Sequence, residues 1–173
     1  MKLKYAINKA TIHQIKDHLI RVDEDFAIPL RTYVDINHYA KKLADRAICV
    51  EIFAEEKLVG LLAIYYNVEE KFIFGSNFSI DKEYRGKGLE LFKVLLNTVS
   101  RSQNLNDMSV EMQQVSNQFI GALSEVAKAE EPIIKSIHTE VHHSNRRLIL
   151  YYKRLGFKEV ETSNESIYLI REI

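Results

Sequence analysis

The sequence predicts an α/β fold on a mixed sheet, and three observations predict it. Strand-like and helix-like runs alternate along the 173 residues, a length that suits one domain, 1–173. Two prolines and no Gly/Ser-rich linker leave no mark of a domain boundary. A glycine-bearing turn in "DKEYRGKGLELFKVLLNTV", residues 81–99, joins a strand to an amphipathic run.

The elements follow in order. "KLKYAINKA" reads as a first strand. "TIHQIKDHLIRV" places Ile12, Ile15, Leu19 and Val22 at helical spacing behind Thr11, a side chain suited to capping. Pro29 breaks any helix in "DEDFAIPLRTYVD", and Asp35 can cap a second helix, "INHYAKKLADRA". "ICVEIFAE", "KLVGLLAIYYNV" and "KFIFGSNFSI" read as three strands with short charged turns. Their imperfect alternation suits a sheet covered on both sides. From Gly88 to about Arg101, Leu89, Phe92, Leu95, Leu96 and Val99 fall on one side of a helix. Region 102–135 reads as one extra helix ending at Pro132, with a strand at "MSVEM" as the alternative. "SIHTEVHH" is a strand, "NRRLILYYKRL" a helix stopped by Gly156, and "FKEVE" with "SIYLIREI" a closing hairpin.

Bulk chemistry narrows the classes. Hydrophobic residues make up 46% and charged residues 28%, an ordinary globular balance. Lys+Arg and Asp+Glu are both 24, so a neutral chain gives no support to nucleic-acid or membrane-surface binding. No apolar run reaches the length of a membrane span, and the start carries no signal-peptide core, so the expectation is a cytoplasmic protein. A single cysteine, Cys49, excludes an intrachain disulfide and reads as core.

The turn at 81–99 has a chemistry of its own. A helix start leaves about four N–H groups without partners, and the macrodipole adds roughly half a positive charge. Gly86 and Gly88 allow close approach, and Arg85 and Lys87 add full charges. Such a stretch is suited to an anion with several oxygens, such as a pyrophosphate, or is a plain turn with solvated cations. It has neither Walker A spacing nor a third glycine for the dinucleotide fingerprint.

The stretch resembles the acyl-CoA signature of the GCN5-related N-acetyltransferase (GNAT) superfamily, Arg/Gln-x-x-Gly-x-Gly/Ala. Arg85, Gly86, Lys87, Gly88, Leu89 and Glu90 occupy it, with Glu90 at the final small position. Downstream, "NRRLILYYKRLGFKEV" is similar to the superfamily's Asn-x-x-Ala-x-x-Leu-Tyr-x-x-x-Gly-Phe. Asn145, Tyr152, Gly156 and Phe157 match, and Leu148 and Tyr151 replace Ala and Leu. A finer resemblance over Phe26, Pro29, Leu30, Val34, Asp35, Tyr39, Lys42 and Leu43 is to acetyltransferases of bacterial polysaccharide gene clusters. Arg31 and Tyr33 stand there in place of Ser and Arg.

The resemblance implies a mostly antiparallel central sheet with helices on both faces and a helical insertion at about 102–135. It implies acetyl-CoA as co-substrate, in a gap between the strand ending near Ile80 and "IHTEV". Main-chain groups of Phe78 and Ile80 would bond the pantetheine arm, and the amides of Arg85 through Glu90 the pyrophosphate. Tyr152 is the expected general acid for the leaving thiolate, or else packs against the cofactor. Asn145 either bonds the cofactor arm or caps its helix.

The base is read from alternation along a strand. His138, Glu140 and His142 share one face, and Glu140 is the expected base, a solvated polar face being the alternative. No metal is expected. Phe26, Arg31 and Tyr33 either grip the acceptor or anchor their loop, and Asp23, Glu24 and Asp25 read as a solvated charge run. The expected activity is N-acetylation of a small-molecule primary amine, an amino sugar or sugar nucleotide among the options. A non-catalytic domain of this fold is the alternative, and the extra helix offers a surface for a homodimer.

Overall fold

A computed structural model describes residues 2–86, 92, 95–96, 98–100 and 109–173. Among these, seven strands form one sheet in the order β1-β2-β3-β4-β5-β7-β6. The strands are β1 (Leu3–Ile7), β2 (Ile48–Ala54), β3 (Lys57–Asn67), β4 (Phe72–Ile80), β5 (Ser136–His142), β6 (Lys158–Thr162) and β7 (Ser166–Glu172). All pairings are antiparallel except β4 with β5. The α/β class, the mixed sheet and its mostly antiparallel character are as the sequence predicts.

Each face of the sheet has its own core. On one side, α1 (Ile12–Val22) and α2 (Ile36–Arg46) bury Ile15, Leu19, Ala40 and Leu43 against Cys49, Phe53, Leu58 and Leu61. Thr11 caps α1 in a reciprocal box with Gln14, and Asp35 caps α2 through the His38 amide. Burial pushes the Cys49 thiol up to about 12, and the Glu51 charge adds to it, so Cys49 is an inert core residue. Glu51 itself ties the start of α1 to the sheet by accepting from the Lys9 and Ala10 amides at 2.7 and 3.0 Å.

On the other side lie the helical residues Phe92, Leu95, Leu96 and Val99, then α3 (Val110–Ala127) and α4 (Arg146–Arg154). The extra helix is α3, and "MSVEM" contributes helix rather than strand where it is described. Its Val115, Phe119, Ala122 and Leu123 belong to the core over β1, β2 and β3. It stops at Lys128 in the left-handed region, ahead of Pro132, because an αL residue at the C-cap already ends the ladder. Gly156 stops α4 with φ +87, as its position in the sequence implies. Gly88, Leu89 and 101–108 lie outside the described residues.

One correction concerns α1. Ile12 is 42% exposed, and the buried stripe is Ile15, His18, Leu19 and Val22. The polar His18 occupies the place that periodicity assigns to an apolar residue.

Candidate active site

The parallel pair β4–β5 opens into a fork. Its last register pair is Gly75 with Thr139, yet β4 runs on to Ile80 and β5 to His142. The physical cause is an extra residue in β4. Ile64 faces Gly75 while Ala63 faces Asn77, so Ser76 is bulged. A bulge bends its strand and ends regular pairing beside it. Thr139 Oγ1 donates to the Gly75 carbonyl at 3.2 Å and closes the root. Among the described residues, no strand pairs with the β5-facing edge of β4 from Ser76 to Ile80, so the main chain of Phe78 and Ile80 lies on an open edge. Such an edge can accept an extended ligand as an added strand.

The α4 side of the fork is apolar and aromatic. Tyr152 is 3% exposed, shares a hydrogen bond with Thr139, and packs against Phe92 and Phe157 at 5.7 and 5.0 Å. Burial pushes its phenol far above the usual tyrosine range, so at neutral pH it is a proton donor. A pocket lined by Gly75, Phe92, Thr139, Tyr152 and Phe157 lies at this root. Asn145 caps α4, accepting from the Leu148 amide at 3.3 Å.

The α1 side is polar. Glu140 is exposed on this face of β5, opposite to Thr139 and Tyr152, and accepts from Ser166 Oγ. His138 is sandwiched in a network, with Ser136 Oγ at 2.7 Å, Tyr168 Oη at 2.9 Å and the Phe72 ring stacked at 4.1 Å. Burial lowers its basicity, and the Glu172 and Glu70 charges act the other way. His142 engages Ser144 at 2.7 Å. Among the described residues, no three His, Cys, Asp or Glu side chains converge as a metal site would require.

Beside the fork on this face lies a chain the sequence reading missed. Asn77 and Ser79 of β4, and Asp81 just past its end, are all less than 8% exposed and alternate toward α1. Ser79 Oγ lies 2.8 Å from Asn77 Oδ1 and 2.9 Å from His18 Nε2. His18 Nδ1 lies 2.9 Å from Asp81 Oδ1, and Arg21 and Lys57 each reach Asp81 Oδ2 at 3.0 Å. Burial pushes the Asp81 carboxyl up, but the hydrogen bonds from His18, Arg21 and Lys57 outweigh it and bring it down to about 2. Two signals in the sequence pointed here: a histidine on the apolar stripe of α1, and polar residues at every second position of "NFSID".

The end of β4 carries the expected anion-binding residues. Gly86 has φ +96, which only glycine adopts without strain, and a Cβ there would meet open space. Arg85 pairs with Asp25 at 2.5 Å. Lys87, Gly88, Leu89 and Glu90 lie outside the described residues. The described features here, an open backbone edge and a glycine turn at its end, are ones an extended ligand can use.

The connection before α2 departs from a solvated charge run. Asp23 is 2% exposed: its Oδ1 accepts from the Arg31 amide at 3.1 Å, its Oδ2 is ion-paired with Arg31 Nε at 3.1 Å, and Arg31 also pairs with Glu24. Arg31 therefore anchors the loop. Phe26 packs against the α1–α2 core, while Tyr33 is 62% exposed.

Neither a protein-family model nor a curated protein matches the sequence. Solved structures do match along nearly the whole chain. The ribosomal-protein-S18-alanine N-acetyltransferase of Escherichia coli superposes with TM-score 0.58 at 15% identity, over 98% of this chain and 94% of that one. An acetyltransferase of the GNAT family from Staphylococcus aureus gives 0.61 at 10%, over 99% of each chain. The chain has the GNAT fold. A Bacillus subtilis acetyltransferase in complex with CoA gives 0.58 at 12% identity, over 99% of each chain. At these identities the likeness is one of fold, and the fork between β4 and β5 is the part of the GNAT fold on which a functional reading of this chain rests.

Proposed function

We propose that the protein transfers an acetyl group from acetyl-CoA to a primary amine of a small molecule. The observation that carries this reading is the fork: an open β4 edge with a buried, protonated Tyr152 at its root and a glycine turn at its end. The CoA complex of a structure with the same fold supports the choice of carrier.

Acetyl-CoA supplies an activated thioester. The main chain of Phe78 and Ile80 would hold its arm, and Arg85, Gly86, Lys87, Gly88, Leu89 and Glu90 its diphosphate. Tyr152 Oη donates a proton to the departing sulfur. A tyrosine held neutral by burial suits that role, since the thiolate it meets is a competent acceptor. Glu140, on the other side of β5, takes the proton that the amine must lose before it has a lone pair to attack with. Phe26, Arg31 and Tyr33 border the acceptor side, with Arg31 fixing the loop. The resemblance over residues 26–43 favours amino sugars or sugar nucleotides as acceptors.

The test begins with thermal denaturation in the presence of acetyl-CoA or CoA. At about a hundredfold excess over Kd, binding should raise the midpoint by about 5–10 °C. If neither ligand stabilises the protein, the reading fails. An amine screen covering amino sugars and their nucleotides, polyamines, amino acids and peptide N-termini then identifies the acceptor by thiol release.

A further inference from the structure

The pocket at the root of the fork continues into the protein. It passes between Ile73 and Ile137 on the sheet and the facing Leu96, Val99 and Phe119, all at most 7% exposed. Ile73 and Ile137 form one register pair, two residues back from Gly75 and Thr139 and on the same face. Among the described residues that line the pocket, all but Gly75 and His138 are buried, so its mouth is at the fork. The polar groups in its walls are already bonded. Thr139 Oγ1 bonds the Gly75 carbonyl and Tyr152, and the His138 ring bonds Ser136 and Tyr168. The rest is hydrocarbon, and a cavity with such walls stays dry and takes apolar groups. Its free volume is about 30 Å³, about twice what one water-sized group needs (about 10–15 Å³).

Gly75 is an independent sign of a ligand at this mouth. It lies inside β4, where a glycine weakens the strand. Its backbone does not require glycine, since its φ is not positive. Packing does not require it either. A Cβ there would meet Thr139 Oγ1 at 3.7 Å and Thr139 Cβ at 3.8 Å, which is ordinary contact. A glycine that neither conformation nor neighbours demand is what a close-lying ligand needs.

We infer that the preferred donor carries a straight acyl chain longer than acetyl, of butyryl length, whose tail passes Gly75 into this cavity. This rests on the CoA-dependent transfer reading and changes only the length of the group transferred. With the thioester at the root beside Tyr152, an acetyl methyl stops at the mouth and leaves the cavity empty. Two further methylenes fill it. The bond changes are the same for either chain. The amine nitrogen bonds to the thioester carbonyl carbon, the C–S bond breaks, sulfur takes the Tyr152 proton, and the amine proton leaves through Glu140.

The experiment is calorimetric titration, without acceptor, of CoA and of acetyl-, propionyl-, butyryl- and hexanoyl-CoA. Butyryl-CoA should bind about tenfold more tightly than acetyl-CoA, about 1.4 kcal/mol for two more buried methylenes. Its heat-capacity change should be the more negative, as burial of apolar surface requires. Hexanoyl-CoA, longer than the cavity, should gain nothing further. Equal affinities for acetyl- and butyryl-CoA, or weaker binding of butyryl-CoA, overturn the inference. Gly75→Ala puts a methyl group at the mouth and should bring the butyryl-to-acetyl ratio close to one. Ile73→Phe should do the same by filling the interior, and melting without ligand shows that each variant is folded. If Ile73→Phe does not fold, Gly75→Ala decides alone. A ratio that stays near ten in the folded variants means that the chain lies elsewhere, and the inference is wrong. If neither CoA nor any thioester binds the wild type, the transfer reading falls and takes the inference with it. If CoA and acetyl-CoA bind and the longer thioesters do not, the transfer reading stands and the chain length alone is wrong.

Discussion

The two sides of the fork differ in kind. On the α4 side, Tyr152, Phe92 and Phe157 meet as rings, with one hydrogen bond to Thr139. On the α1 side, His18, Ser79, Asn77, Asp81, Arg21 and Lys57 form a chain in which every link is a hydrogen bond or ion pair. The first side is held by shape, which non-directional burial supplies. The second is held by partner matching, in which one missing group leaves others buried and unpaired. Damage should therefore register as lost volume on one side and as altered pH response on the other.

The largest effect is expected from Phe119→Ala, which empties a fully buried site on the α4 side. It should cost about 4 kcal/mol in urea denaturation, with the same acid limb as the wild type. Tyr152→Phe keeps the ring packing and removes the donor. Turnover should fall about 100-fold with little change in the acetyl-CoA melting shift, and unchanged turnover would remove the proton-donor role. On the α1 side, Asp81→Asn strips three donors of their charged partner and should cost about 2 kcal/mol near neutral pH. Its sign with pH is set by the lowered carboxyl. The contribution of Asp81 is complete above its unfolded value near ~4 and is lost as pH falls through about 2. The gap in melting temperature between wild type and Asp81→Asn should thus close on acidification, whereas the Phe119→Ala gap should not. The smallest effect belongs to Asn145→Ala, which removes the N-cap of α4. About 1 kcal/mol of stability should go, and a larger loss of acetyl-CoA binding than of stability would show that Asn145 also serves the carrier.

The same contrast explains what could be read in advance. Phe92, Leu95, Leu96 and Val99 announced themselves by helical spacing, and Tyr152, Gly156 and Phe157 by their place in a motif. His18 did not, because a lone histidine within an apolar stripe has no meaning until its partners are known. Those partners lie about sixty residues away, on β4 and just past its end. Asp23 was misread for a similar reason. In a run of three acids nothing distinguishes the one that is buried from the two that stay exposed.

By itself the sequence determined the α/β class, the order of strands and helices and the glycine turn after β4, since each depends on the period of nearby side chains and on local backbone freedom. Only the tertiary structure decided that β4 bulges at Ser76 and parts from β5, that Tyr152 of α4 packs on the face of β5 opposite to Glu140, and that His18 meets Ser79 and Asp81. Those facts depend on register between distant segments, and register is fixed by packing rather than by any pattern along the chain.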